Sequence, residues 1–173
     1  MRRRWVCHRD GELDSPPVQG SPDIIEFLNE ALSAELAAIN QYFAHSKLCE
    51  NWGWKRLAEK YREESFEEMR DAEHLMDRIL LLDGMPNMQR IGSVRIGEDV
   101  REQLEVDREL ELAAIERYRR GVALALELGD PGTRELLERL VVGEEGHLDW
   151  IDTQLSMIDD IGIELYTQHQ IGE

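Results

Sequence analysis

One motif occurs twice in this sequence and constrains the fold more than any other feature. "ELAAINQY" begins at Glu35, and "ELAAIERY" begins at Glu111, 76 positions later. The same step of 76 positions relates Glu68 to Glu144. A repeat with one fixed offset indicates a structural unit that occurs twice, and both copies are rich in helix-forming residues. We therefore predict a duplicated helical hairpin with pseudo-twofold symmetry.

Four segments have apolar residues at every third or fourth position, as amphipathic helices do. In the first segment, Leu28, Leu32 and Phe43 are predicted to lie on the buried stripe. Residues typical of helix caps and stops stand at the ends of the segments. The predicted bounds are Ser21 to about Cys49, the "NWGW" turn to Gly84, about Asp99 to Gly129, and the "GDPG" turn to Gly162, followed by a short fifth helix after Ile163.

The connection between the second and third helices, residues 84–98, is too long for a tight turn. At roughly 3.3 Å per residue it can reach about 50 Å, whereas a helix of about 28 residues is only about 42 Å long. The connection can therefore cross the whole bundle and make these two helices parallel. We predict an all-α fold for residues 21–173: a ferritin-like four-helix bundle with one long crossover and a short fifth C-terminal helix. Residues 1–20 are predicted to be a flexible N-terminal extension.

Six polar residues interrupt the apolar stripes, where a carboxylate is costly unless it is paired, hydrogen-bonded or bound to metal. They are Glu35, Glu68, Asp71, Glu111, Glu144 and His147. Positions 35 and 71 are equally far from Gly53 in the first turn, and positions 111 and 147 are equally far from Gly129 in the second. All six are therefore predicted to lie at a similar height in the bundle. A Glu from each of two helices, with Glu-x-x-His from each of the other two, is the ligand set of di-iron bundles.

The composition narrows the partners and the compartment. A net charge of −17 argues against binding nucleic acid and favours cations. No apolar stretch approaches the roughly 20 residues that span a membrane. Cys7 and Cys49 are far apart, and the N-terminal segment lacks the apolar run of a secretory signal, so we expect a reduced, cytoplasmic protein with inert thiols.

Four stretches resemble bacterioferritins. They are "ELAAINQYFAHSKLCENWGWKRL", "EEMRDAEHLMDRILLLDGMPN", "RIGEDV" and "EEGHLDWIDTQL", and the similarity extends from about Ser21 to the C-terminus. The resemblance implies a subunit of a hollow 24-subunit shell that oxidises ferrous iron with dioxygen or peroxide and stores ferric mineral. By motif position it implies that the ferroxidase ligands are Glu35, Glu68, Glu111, Glu144 and His147, with Glu68 and Glu144 bridging the two irons.

The same resemblance assigns two further residues. Tyr42 would be a tyrosine near the irons and a candidate one-electron donor, although a core aromatic residue is an equally good interpretation. Met69 follows Glu68 by one residue, which is about 100° around the helix, so it is predicted to point out of the bundle. In the family, a methionine here binds haem b that is shared between two subunits. A small ferredoxin that docks near the haem is the implied reductant.

Asp71 departs from the family pattern, which has histidine at this position. His74 cannot replace it, because six residues from Glu68 turn a helix by about 240°, onto another face. An aspartate oxygen reaches about as far as the ring nitrogen of the expected histidine, and carboxylate is a good iron ligand. The ligand set then carries a charge of −5 instead of −4, which favours ferric iron and lowers the reduction potential.

Two hypotheses therefore remain open. In the first, the subunit binds two irons asymmetrically and is an active ferroxidase. In the second, Asp71 impairs the centre, and the chain is a haem-bearing storage or electron-transfer subunit, in a homomeric or a mixed shell. A rubrerythrin-like peroxidase is disfavoured because Cys7 and Cys49 cannot form a rubredoxin iron site, and a mini-ferritin is disfavoured because its metal site lies between subunits. Glu63 and Glu67 are predicted to lie on a solvated acidic face or to face the mineral cavity, and His45 and His169 to be surface or packing residues.

Overall fold

The computed structural model describes residues 19–172, and all of its regular secondary structure in this range is helical. Residues 1–18, which include Cys7 and most of the predicted N-terminal extension, lie outside the described residues, as does Glu173. The predicted four-helix bundle with one crossover and a short fifth helix is confirmed. The helices are α1 (Pro22–Trp52), α2 (Lys55–Leu81), α3 (Val100–Glu127), α4 (Pro131–Ile161) and α5 (Ile163–His169).

Local chemistry fixes the two hairpin turns. The α1–α2 connection contains only two residues, and its Gly53 has a left-handed backbone with a φ of 91°. In the three-residue α3–α4 connection, Gly129 has a φ of 69°. Residues other than glycine rarely adopt such angles. The next residue, Asp130, caps α4 by accepting a hydrogen bond from the Thr133 N–H at 2.9 Å. The polar positions of each hairpin are therefore set by short, rigid turns.

The crossover, residues 82–99, runs along α1 and determines the topology. Five hydrogen bonds join the two segments, and both partners advance along the chain together. They run from Asn29 Nδ2 to the Met85 carbonyl (3.2 Å), from the Asn87 N–H to Asn29 Oδ1 (2.7 Å), from the Gly92 N–H to the Ser33 carbonyl (2.8 Å), from the Arg95 N–H to Gln41 Oε1 (2.9 Å), and from the Gly97 N–H to His45 Nε2 (3.2 Å). The crossover is thus parallel to α1, and α2 and α3 are parallel to each other, as the length of the connection predicted.

The apolar interior consists of two clusters, each of which contains residues from all four long helices. The first includes Leu28, Leu75, Tyr118 and Leu137. The second includes Cys49, Leu57, Leu104 and Ile151. Along every helix, the glutamates that interrupt the apolar stripe lie between the two clusters. The buried polar residues therefore form a layer across the middle of the bundle.

The prediction of the buried stripe of α1 is wrong at one residue, Phe43. Phe43 is 49% exposed, and its neighbour Tyr42 occupies the inward position. The 11 residues from Leu32 to Phe43 turn an ideal helix by only about 20° beyond three full turns, so helical spacing alone does not exclude Phe43 from the buried face. No helix within residues 19–172 is long and apolar enough to span a membrane.

Candidate metal centre

Four side chains from three helices converge in the polar layer. They are Glu68 of α2, Glu111 of α3, and Glu144 and His147 of α4, and each presents a nitrogen or oxygen atom within 4.8 Å of the others'. The three carboxylates are buried, and His147 is largely enclosed. Three carboxylates and one imidazole at this spacing have the chemistry of an iron or zinc site.

Several atoms of this group lack a hydrogen-bond partner within the described part of the chain. They are Glu68 Oε1, Glu111 Oε2, Glu144 Oε2 and His147 Nδ1, all of them buried. His147 Nδ1 lies 3.3 Å from Glu144 Oε2 and 3.7 Å from Glu68 Oε1, close enough for ion pairing but without the geometry of a hydrogen bond. Buried polar atoms without partners are rare in folded proteins. The donor set therefore fits a bound cation.

Two tyrosine hydroxyls connect α1 and α3 within the polar layer, each through a hydrogen bond to a glutamate of the other helix. The Tyr42 hydroxyl of α1 donates a hydrogen bond to Glu111 of α3, and the Tyr118 hydroxyl of α3 donates one to Glu35 of α1. Tyr118 was not assigned a role in the sequence, although the 76-residue step that relates Glu35 to Glu111 also relates Tyr42 to Tyr118. Glu35 is buried beside the four-residue group and forms a hydrogen bond with Glu68.

Asp71 is not one of the four converging residues among those that the structure describes. It is partly buried and lines an open cavity of about 270 Å³ on the α2–α4 side, together with His74 and His147. Burial, and then the neighbouring Glu144 carboxylate, raise the pKa of Asp71 to about 6. The structure thus brings together the donors of one half of the predicted centre more closely than those of the half that contains Asp71.

The other ring nitrogen of His147 faces a second pair of carboxylates. His147 Nε2 lies 2.9 Å from Glu64 Oε2 and 3.0 Å from Glu67 Oε2. This pairing orients the ring so that Nδ1 faces the centre, as partners of metal-binding histidines commonly do. Glu64 was missed in the sequence, although it lies one helical turn before Glu68 on the same face of α2. Glu63 is exposed, as expected for a solvated acidic face.

The metal-free centre holds protons. Burial raises the pKa of Glu35 to about 7 despite its hydrogen bond with Glu68, and burial together with the Glu144 charge raises the pKa values of Glu68 and Glu111 well above the usual range. Burial opposes the charge of His147, but the close Glu144 and Glu64 carboxylates outweigh it and raise the pKa of His147 to about 11. A divalent cation that binds here must displace these protons, so metal affinity should increase with pH.

We expect the metal-free protein to lose stability between about pH 4.5 and 7, partly because of Glu35. Its pKa is about 7 in the folded chain, against an ordinary value of about 4.5 for this carboxyl group. The folded state therefore binds this proton more tightly, and the stabilisation is complete below the lower value and is lost as pH rises through the higher one. Glu35→Gln removes this titration and should flatten the decline by up to about 3 kcal/mol. Urea denaturation of the metal-free proteins at pH 4.5 and 7 measures the difference.

Glu26→Gln, at an exposed position on the same helix, is the matched control for this experiment. The free energy of unfolding of this variant should follow that of the wild type across the pH range. Equal pH dependence in Glu35→Gln and the wild type would contradict the raised pKa of Glu35.

Tyr42 is buried and Met69 points outward, and their roles beside iron and haem stay predictions. Tyr42 is buried, with its hydroxyl on Glu111. Met69 is 49% exposed and points out of the bundle, beside the exposed Phe66 one turn earlier. His45, predicted to be a surface or packing residue, is completely buried and hydrogen-bonded, whereas His169 is exposed.

Fold and site together define a ferritin-like protein, and residues 25–161 match the family described as the ferritin-like domain. The bacterioferritin of Mycobacterium leprae is 51% identical over 150 residues, which cover 87% of this chain and 94% of that protein. The bacterioferritin of Streptomyces coelicolor is 52% identical over 149 residues, or 86% of this chain and 89% of that protein. The structure of Mycobacterium tuberculosis bacterioferritin BfrA superposes with a TM-score of 0.88 at 50% identity, covering 89% of this chain and 97% of that one. The chain therefore belongs to the bacterioferritins, a family of iron-storage proteins.

Proposed function

We propose that this chain oxidises Fe(II) with dioxygen or peroxide at an intrasubunit di-iron centre and stores ferric mineral inside a 24-subunit shell in the cytoplasm. The observation that carries the proposal is the convergence of Glu68, Glu111, Glu144 and His147, with buried donor atoms that have no hydrogen-bond partner. Carboxylate oxygens and imidazole are suitable ligands for iron. The similarity to bacterioferritins supports storage as the purpose of the oxidation.

In this proposal, Glu111 and His147 would hold one iron, Glu35 and Asp71 would hold the other, and Glu68 and Glu144 would be ligands common to both. Iron supplies the redox chemistry when bound. The chain contributes geometry and protons: Glu35, Glu68 and Glu111 release protons as cations enter, because their raised pKa values keep them protonated beforehand. Tyr42 is a one-electron donor whose hydroxyl proton can pass to Glu111, which already accepts its hydrogen bond.

Asp71 favours an asymmetric centre. The donors around His147 lie within 4.8 Å of one another, and Asp71 stands outside this group. The first cation is therefore expected to bind beside His147, and the second more weakly beside Asp71. The same observation supports the alternative function, a haem-bearing storage or electron-transfer subunit with an impaired centre in a mixed shell.

Stopped-flow oxidation of Fe(II) by a homogeneous, metal-free preparation tests both functions. We expect a fast phase that saturates at two Fe(II) per subunit and is absent from an Asp71→Ala and Glu144→Ala double variant. A wild-type protein no faster than the double variant would exclude the ferroxidase. Normal iron loading by the homogeneous protein would exclude the alternative.

We propose that Met69 binds haem b between two subunits. Its thioether is half exposed on the outer face of α2, where a second copy can contribute the opposite ligand. Met69→Leu should therefore abolish the haem bands of the visible spectrum while leaving the fast phase of Fe(II) oxidation intact. Met85→Leu, at another exposed methionine, is the control and should retain haem. A haem spectrum that survives in Met69→Leu would contradict this role and the docking of a ferredoxin reductant nearby.

A further inference from the structure

A buried polar network lies outside the proposed centre. Asp107 of α3 and two residues of α1, Gln41 and His45, are almost completely inaccessible to solvent. Gln41 Nε2 donates to Asp107 Oδ1 at 2.8 Å, and His45 Nδ1 lies 3.0 Å from Asp107 Oδ2. Beyond the aspartate, each α1 side chain reaches the crossover. Gln41 Oε1 accepts from the Arg95 N–H, and His45 Nε2 accepts from the Gly97 N–H.

The direction of every hydrogen bond in this network is fixed by the crossover. A backbone N–H can only donate, so Gln41 Oε1 and His45 Nε2 must both accept. The amide NH₂ of Gln41 and the Nδ1–H of His45 must then both point at Asp107. Only a side chain that accepts on both of its oxygens satisfies the two branches, and at this position that is a carboxylate. Two hydrogen-bonded links, called straps below, thus tie the crossover to α1: Gln41 to the Arg95 N–H and His45 to the Gly97 N–H. Asp107 joins the two straps into one unit.

The straps hold one end of the crossover segment 92–97, called the roof below, which covers a cavity. The cavity measures about 390 Å³, lies between α1, α3 and the crossover, and has Glu35, Glu68 and Glu144 of the centre on its lining. Gly92, Ser93 and Arg95 of the crossover also line it. The remaining wall combines larger residues, among them Gln41, Glu109 and Arg117, with five alanines, namely Ala34, Ala37, Ala38, Ala113 and Ala114. The position of the crossover thus determines how wide this approach to the carboxylates is.

Both ends of the roof are packed tightly. At one end, the Gly92 N–H donates to the Ser33 carbonyl, and a Cβ on Gly92 would lie 3.2 Å from that oxygen. At the other end, a Cβ on Gly97 would lie 2.3 Å from the Gln103 backbone nitrogen. Neither end has room to shift toward the bundle, so the side-chain straps at Arg95 and Gly97 oppose movement away from it.

We propose that Gln41, His45 and Asp107 are positioning residues that hold the crossover over this cavity and so limit the size of the oxidant that reaches the centre. This inference rests on the proposed ferroxidase function. Alanines and the backbone of Gly92 line this approach, so it suits a small molecule such as dioxygen or hydrogen peroxide. Its charges are of both signs, since Glu109 accompanies Arg95 and Arg117, and the same holds on the α2–α4 side, so size and not charge is the property that the crossover controls.

Two hydroperoxides of different bulk test the size limit. Hydrogen peroxide and tert-butyl hydroperoxide each take two electrons from two Fe(II) and take up two protons, as the O–O bond breaks to give water and either water or the alcohol. They differ in size and not in stoichiometry. In the wild type, oxidation by tert-butyl hydroperoxide should be much slower than by hydrogen peroxide.

Asp107→Asn is the decisive variant, because an amide preserves the shape but presents a donor where both partners donate. One strap must break. The ratio of the rates with tert-butyl hydroperoxide and hydrogen peroxide should rise about fivefold, the population change expected for the loss of one buried hydrogen bond. Amide hydrogen exchange of the metal-free protein at Arg95 or Gly97 should rise by a similar factor. Gln41→Met, which removes the Arg95 strap alone, should give the same rate ratio.

Ser46→Ala is the matched control. Ser46 is buried on α1 and donates through Oγ to the Ala58 carbonyl at 2.8 Å, a hydrogen bond to α2 and not to the crossover. Its rate ratio and its exchange at Arg95 and Gly97 should equal those of the wild type. Faster exchange in Asp107→Asn with an unchanged rate ratio would overturn the size limit, and unchanged exchange would overturn the strap. A wild type that oxidises no Fe(II) with any oxidant would refute the proposed function, whereas the exchange measurement still decides whether the residues hold the crossover.

Discussion

Glu144→Gln is expected to slow the fast phase of Fe(II) oxidation by at least about 100-fold. Glu144 belongs to the four-donor group and lies 3.3 Å from His147 Nδ1, and it is the proposed bridge between the two irons. Loss of a group that only orients a metal ligand already costs about 10- to 100-fold, so loss of a carboxylate shared by both metals should cost at least as much. Stopped-flow absorbance after mixing metal-free protein with Fe(II) and dioxygen measures the rate.

Glu145→Gln is the matched control for this substitution. Glu145 is the next residue of α4, is exposed, and pairs with Arg119 at the surface. The substitution makes the same chemical change one position away. The ion pair that it removes lies at the surface, where such a pair contributes little to the free energy of unfolding. Its oxidation rate should equal that of the wild type, and both variants should retain the helical circular dichroism of the parent. Equal rates in Glu144→Gln and Glu145→Gln would exclude the proposed centre.

Asp71→His is expected to strengthen binding of the second metal by about 10- to 100-fold. By the 76-residue repeat, position 71 is equivalent to His147, whose Nδ1 faces Glu68, Glu111 and Glu144. An imidazole at position 71 supplies the missing nitrogen ligand and removes one negative charge from the ligand set. Anaerobic titration with Co(II), followed by its visible absorption, should change from one tight and one weak site per subunit to two sites of similar affinity.

Glu73→His controls for the mere addition of a histidine to α2. Residue 73 is exposed, on a different face of the helix from Asp71. The second Co(II) should remain weak in this variant. If the wild type already binds two Co(II) equally and Asp71→His changes nothing, Asp71 is a competent ligand and the alternative of an impaired centre is wrong.

The fold could be predicted from the sequence because its main determinants are local. Helix periodicity, the two short turns, and a connection long enough to cross the bundle all depend on residues close together in the chain. The duplicated motif added a long-range relationship and so predicted that Glu35, Glu68, Glu111 and Glu144 share one layer. The outward direction of Met69 followed from a single helical step. Their roles as ligands remain predictions.

The connections between distant polar residues could not be read in the same way. His45 and Asp107 are 62 positions apart, and the 76-residue repeat does not relate them to each other, so nothing in the sequence pairs them. Glu64 was one acid among several on α2, and only the packing of α4 shows that it faces His147. For Asp71, side-chain length predicted sufficient reach, but its carboxylate lies outside the four-donor group and lines the open α2–α4 cavity.

The two apolar clusters give each end of the bundle its own support. Since both clusters contain residues from all four long helices, neither half depends on the polar layer to hold the helices together. The polar layer therefore lies between two apolar clusters that each hold the four helices together. Under the proposed function, the charge of the layer changes as metal ions bind and leave while the clusters keep the helices in place, so release of the metal ions does not require unfolding.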